Sequence, residues 1–119
     1  MADSVLKTKS KEFAKDIVLL CRKLKQNGAE GALINQLLRC GTSVGANIHE
    51  AQYAQGTRDF ISKFEIALKE CNESDYWLEL LHETNSITRE EFSEMHSAAI
   101  ELRRMLVSSV RTLKDKAKK

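Results

Sequence analysis

The chain has 119 residues, 42% hydrophobic and 30% charged, with five glycines, three cysteines and no proline. A domain of this length buries about two-thirds of its unfolded surface. The lack of proline argues against loop-rich and all-β folds, and an odd number of widely spaced cysteines argues against a disulfide scaffold. The net charge of +2 on its own points to no polyanionic partner.

The first residues, MADSVLKTKSKEF, contain no apolar h-region, so no secretion signal is expected. No uncharged apolar run reaches about 18 residues, so no membrane span is expected either. Cys21, Cys40 and Cys71 each sit inside an apolar run and read as small buried hydrophobes in a reducing cytoplasm.

The first segment, about 4–27, places Leu6, Ser10, Phe13, Ile17, Leu20 and Leu24 at alternating steps of four and three. That spacing is the single-face stripe of an amphipathic helix. Asn27-Gly28 ends it, with glycine free to adopt the left-handed conformation after the last turn. The segment is basic: residues 1–28 carry seven cations and three carboxylates.

The second segment, about 31–55, carries Arg39 as its only charge between Ala32 and Ile48. Apolar and small residues lie nearly all round it, as expected of a helix buried on every side. A lone four-helix bundle leaves one face of each helix in water, so this segment points to self-association. Gly41 and Gly45, one turn apart, would let another helix approach closely. Arg39, Ser43, Asn47 and Glu50 line one edge. In an antiparallel hairpin centred near Gly56, Arg39 faces Glu73 with Glu70 one turn away, and Asn47 faces Glu65. These residues read as a structural polar network that fixes register.

The third segment, about 58–84, repeats the stripe at Phe60, Phe64, Ala67, Cys71, Ser74, Leu78 and Leu81. Gly56 precedes it and Thr57 is the expected cap. It is acidic, with seven carboxylates against three cations over 57–85. Trp77 falls outside the core stripe, and with Val44, Tyr76 and Leu80 it forms the expected oligomer interface.

The fourth segment, about 88–115, opens with a capping box, Thr88 with Glu91, and a hydrophobic staple, Ile87 with Phe92. Its stripe is Phe92, Met95, Ala99, Leu102, Leu106, Ser109 and Leu113. Residues 86–119 carry eight cations and five carboxylates. Short joints make consecutive helices antiparallel, so the expected fold is all-α: one up-down-up-down four-helix bundle.

In that topology the first and last helices are neighbours, and their cations would share a basic surface. Lys7, Lys11, Lys15, Arg22, Lys25, Arg103, Arg104, Arg111 and Lys114 are the candidate nucleic-acid contacts, and Lys9, Lys23, Lys116, Lys118 and Lys119 add to the same charge. The competing reading is a set of solvated helix faces with a lysine-rich tail.

Catalytic patterns are sparse. Glu79-x-x-His82 is half of a di-iron bundle motif and lacks the second half. Cys71 has no histidine at nucleophile–base spacing, and His49 beside Glu50 has no third partner. Arg89 and His96, with six residues between them, resemble the Arg-x4–6-His element of HEPN-type helical ribonucleases. No catalytic residue, metal, cofactor or small-molecule substrate is expected.

The stretch Gln36–Ala51 closely resembles a signature of one family. Asp59-Phe60-Ile61-Ser62-Lys63, Ala67-Leu68-Lys69-Glu70-Cys71 and Glu73–Leu81 resemble a second part of it in the right order. The family is the four-helix-bundle proteins typified by the bacterial 23S rRNA intervening-sequence protein. Cys40 stands where serine is common, and Ser74 where threonine is common. The resemblance implies a ring-like homopentamer without established enzymatic activity. Its members are encoded within intervening sequences of ribosomal RNA genes and elsewhere in bacterial genomes. A related branch, accessory proteins of diversity-generating retroelements, implies binding to nucleic acid and a reverse transcriptase. The expectation is a cytoplasmic, non-enzymatic homo-oligomer that binds RNA or a nucleic-acid–protein complex. The alternatives are a purely structural protein adaptor using the acidic third helix and, behind it, a HEPN-like ribonuclease using Arg89 and His96.

Overall fold

The computed structural model describes residues 2–118. Four helices account for nearly all of them: α1 (Ala2–Gln26), α2 (Gly31–Ala51), α3 (Thr57–Glu83) and α4 (Arg89–Ala117). Each helix packs on its chain neighbour, and α4 returns to α1, so the four close an antiparallel rod of 52 × 22 × 20 Å. The α1–α4 seam is the thinnest of the four. Two ion pairs cross it, Lys9–Glu101 at 3.0 Å and Lys23–Glu91 at 2.6 Å.

The expected stripes form most of the core. Near the end of α4, however, Val110 is the buried residue while Ser109 and Leu113 are only half-buried, and Phe60 and Phe92 sit half-buried at the core's edge. Phe13, Ile17, Leu37, Phe64, Leu78, Leu102 and Leu106 are all buried. Two serines lie among them, and each bonds back to its own helix. Ser10 Oγ donates to the Lys7 carbonyl at 3.0 Å, and Ser74 Oγ donates to the Glu70 carbonyl at 2.8 Å. All three cysteines are buried and free. Burial pushes the Cys21 thiol up to about 11 and the Cys71 thiol to about 12, so neither forms a thiolate near neutral pH.

Gly28 closes the first joint at φ +78°, as expected of a residue after a helix C-terminus. The capping box at the third joint is complete. Thr88 Oγ1 accepts from Glu91 N–H at 3.0 Å, and Glu91 Oε1 accepts from Thr88 N–H at 2.8 Å. Ile87 and Phe92 both join the core there.

The second joint departs from expectation. α2 stops at Ala51, not near 55, because Gln52, Tyr53 and Ala54 each bond three residues back and tighten the chain into a turn. Thr57 does not cap α3. Gly56, in extended conformation, holds that position, and Asp59 accepts the Gln55 N–H at 3.2 Å.

The α2 glycines serve the fold itself. A Cβ on Gly41 would stand 2.8 Å from Ile17 Cγ1, and one on Gly45 would stand 3.3 Å from the Ser10 carbonyl oxygen. The helix they admit is α1 of the same chain. Val44 lies between these glycines, is 0% exposed and belongs to the core, so it cannot form an oligomer interface.

Candidate interaction surfaces

α1 and α2 enclose a long open groove of about 1190 Å³. Small residues at Gly45 and Ala46 keep the α2 side low, and Ala14, Val18 and Leu19 supply an apolar wall. Leu19 is 58% exposed. Lys7, Lys11, Lys15 and Arg22 rim the groove, joined by Glu12 and Glu50. Lys25 is exposed one turn beyond Arg22. The volume exceeds the roughly 300–1,000 Å³ of a small-molecule site, and the groove is open rather than enclosed.

The cations of α4 lie elsewhere. Lys114 Nζ is 2.9 Å from Glu65 of α3, so this edge of α4 faces α3. Arg103 is eleven residues before Lys114, three helical turns, and shares that edge. Arg104 and Arg111, seven residues apart, are exposed on the outer side next to it. The side of α4 that meets α1 carries Glu91 and Glu101. The expected single basic surface is therefore two separate edges, one on α1 toward α2 and one on α4 toward α3. Lys119 lies outside the described residues.

The polar stripe of α2 divides in the same way. Arg39 reaches across to α3, with Nη2 2.7 Å from Glu73 Oε2 and Nη1 3.4 Å from Glu70 Oε2. Trp77 Nε1–H donates to the same Glu73 oxygen at 3.1 Å. The indole bond first, then Arg39, holds the Glu73 carboxyl below its usual range despite partial burial. Glu73 in turn raises the Arg39 guanidinium. Ser43 and Asn47 take no part in this clamp. Ser43 Oγ donates to the Arg39 carbonyl at 2.7 Å, and Asn47 Nδ2 donates to the Ser43 carbonyl at 2.9 Å. Glu65, the expected partner of Asn47, pairs with Lys114, and Glu50 turns to the groove.

The outer face of α3 carries an exposed apolar stripe. Tyr76 is 57% exposed and Ile66 is 39% exposed, with half-buried Trp77 and Leu80 between and beside them. Tyr76 packs edge-on against Trp77 at 5.1 Å. Glu79 and Glu83 lie along the α4 side of this stripe and exposed Lys69 lies within it, and none of the three forms an ion pair among the described residues.

His96 and Arg89, seven residues apart, share one face of α4 but form no hydrogen bond with each other among the described residues. Arg89 opens α4, about 10 Å along the axis from His96. His96 Nδ1 lies 2.7 Å from Asp75 Oδ1 instead. His96 also stacks on Phe92 at 5.1 Å, and Phe92 stacks on His82 at 4.7 Å. This His–Phe–His column was hidden in the sequence because it joins the end of α3 to the start of α4. Its one sequence signal is the four-residue spacing of Phe92 and His96. Among the described residues, no group of three or more His, Cys, Asp or Glu side chains is placed to share a metal ion.

Fold and surface together define an all-α bundle with an open apolar groove and, among the described residues, unpaired cations along its rim. The 23S rRNA-intervening sequence protein family model matches residues 2–108, and the chain belongs to that family. A crystal structure of a protein of unknown function from the S23 ribosomal protein family of Bacteroides thetaiotaomicron is similar throughout. The two are 48% identical with a TM-score of 0.90, over 93% of this chain and 99% of that one. No curated protein matches the chain.

Proposed function

We propose that the protein is a non-enzymatic, self-associating bundle that binds RNA, or an RNA–protein complex, through its basic edges. The observation carrying this reading is the state of the cations. Lys7, Lys11, Lys15, Arg22 and Lys25 of α1, and Arg103, Arg104 and Arg111 of α4, are exposed and unpaired among the described residues. Lys114 is the one candidate that pairs. The carboxylates of α3 are mostly engaged within the fold: Glu65, Glu70, Glu73 and Asp75 all have cationic or histidine partners. The net charge is small, but the cations left over face outward, where phosphate would replace released counterions.

Filter binding of a labelled RNA hairpin tests this. Affinity should fall steeply with salt, with log K dropping by about 0.7–0.9 per phosphate contact. Reversing Arg104 and Arg111 to glutamate should weaken binding and flatten the slope by about two contacts. No binding at low salt would end the RNA reading.

A further inference from the structure

We propose that Tyr53, in the turn between α2 and α3, is a stacking platform for an unpaired base of the bound RNA, with Lys7, Lys11 and Arg58 holding the neighbouring phosphates. The inference rests on the RNA-binding reading above and places the contact at one end of the rod.

Charge is polarised along the rod. α1 and α3 begin, and α2 and α4 finish, at the end that carries Tyr53. Residues 2–13, 42–69 and 104–118 make up that half and hold eleven cations and six carboxylates. Residues 14–41 and 70–103 make up the other half and hold seven cations and eleven carboxylates. Two of the six carboxylates are engaged within the fold: Glu65 pairs with Lys114, and Asp59 accepts the Gln55 N–H. A phosphate backbone is therefore drawn to the Tyr53 end.

Charge also separates the two exposed aromatic rings. Tyr76 lies in the acidic half, one turn from Glu73 and Glu79 and two turns from Lys69. Tyr53 lies in the basic half and is 71% exposed, more than any other large hydrophobic side chain among the described residues. The tight turn over Gln52, Tyr53 and Ala54 carries its ring at the end of α2, where His49 meets it at a centroid distance of 5.5 Å and a tilt of 58°. Gly45 sits against Ser10, so His49, one turn on, is about level with Lys7 of α1. His49 lines the α1–α2 groove together with Lys7 and Lys11. Glu12 and Glu50 share that rim but pair with neither lysine among the described residues. Arg58, five residues beyond Tyr53, is exposed in the first turn of α3 and also forms no ion pair among them. An open ring among free cations suits an unstacked nucleotide, because any base offers a π-face to the ring while the cations take the backbone. A duplex hides its base faces, so this end favours a loop or a single strand.

Fluorescence anisotropy on the full chain tests this with two labelled RNAs of equal phosphate number, a hairpin with an unpaired loop and a blunt duplex. The parent should bind the hairpin more tightly. Tyr53→Ala should weaken hairpin binding about tenfold, leave duplex binding unchanged and keep the salt slope, since stacking releases no counterion. Tyr53→Trp should restore the affinity, and Arg58→Gln should instead lower the salt slope by about one contact. Helical circular dichroism of all three variants should match the parent. Equal hairpin affinity for Tyr53→Ala and the parent overturns the stacking site and leaves the RNA reading in place. An equal loss on hairpin and duplex also overturns it. If the parent binds neither RNA at low salt, the RNA reading itself falls.

Discussion

The two sides of α2 hold their neighbours by different means. Toward α1 the contact depends on absence: Gly41 and Gly45 have no side chains, and Ile17 and the Ser10 backbone fill the space. No ion pair joins α1 to α2 among the described residues. Toward α3 the contact depends on a polar clamp, in which Arg39 holds Glu70 and Glu73 and Trp77 adds a third bond. The difference shows where charge is left available. Cations beside the glycine seam form no ion pair among the described residues, even with Glu12 and Glu50 on the same rim, and remain on the surface. Glu70 and Glu73 of the clamped seam are instead engaged within the fold.

The largest way to break this comparison is to empty the glycine seam. Ile17 is fully buried against Gly41, so Ile17→Ala should cost about 2–5 kcal/mol through lost burial and a cavity. Urea unfolding would measure it. A loss under 1 kcal/mol would mean that α1 is not anchored there.

A smaller effect comes from filling the seam. Gly41→Ala puts a methyl 2.8 Å from Ile17, so overpacking of about 1–3 kcal/mol should outweigh the roughly 1 kcal/mol that alanine gains in helix propensity. Gly45→Ala meets its nearest atom at 3.3 Å, and its net change should be close to zero. Combining Gly41→Ala with Ile17→Ala should cost less than the sum of the two, since one substitution makes the room that the other needs. Strict additivity would show that the glycine and the isoleucine do not share that space.

Much of the clamped side was legible in the sequence, and much of the glycine side was not. Hairpin arithmetic places Arg39 opposite Glu70 and Glu73 because an antiparallel register relates turns on facing helices. The same arithmetic misplaces Asn47. Register says which turns face each other, while Asn47 bonds within its own helix and Glu65 turns to α4. The α1 cations were assigned to the α4 side because counting charge per helix does not say which way a side chain turns. Lys7, Lys11, Lys15 and Arg22 lie toward α2, while Lys9 and Lys23 are the pair that face α4. Val44 read as surface because α2 is apolar nearly all round. Its outward positions turn out to be small or polar, such as Ala32, Gln36 and Ala46. The groove had no linear signal at all, since it arises from the low α2 wall beside the longer side chains of α1.

The finest test separates the seams by acid. Trp77 first, then Arg39, holds the Glu73 carboxyl below its ordinary value of 4.5, and the unfolded chain keeps that ordinary value. A carboxyl lowered in the folded state contributes stability above its unfolded pKa and loses it as pH falls through the folded one. Stability should therefore decline below about pH 4.5, in part through Glu73. Trp77→Phe keeps an aromatic ring but removes the indole donor, so the decline in that window should be shallower than in the parent. Arg39→Gln should flatten it further, and added salt should have less effect on that variant because the exposed guanidinium is screened in the parent. The glycine seam has no titrating pair, so Gly41→Ala should shift the whole stability–pH curve down without changing its shape. Urea unfolding across pH 3–7 distinguishes the two. Parallel curves for Trp77→Phe and the parent would mean that the indole bond does not set the proton affinity of Glu73. The clamp would then hold α3 through Arg39 alone.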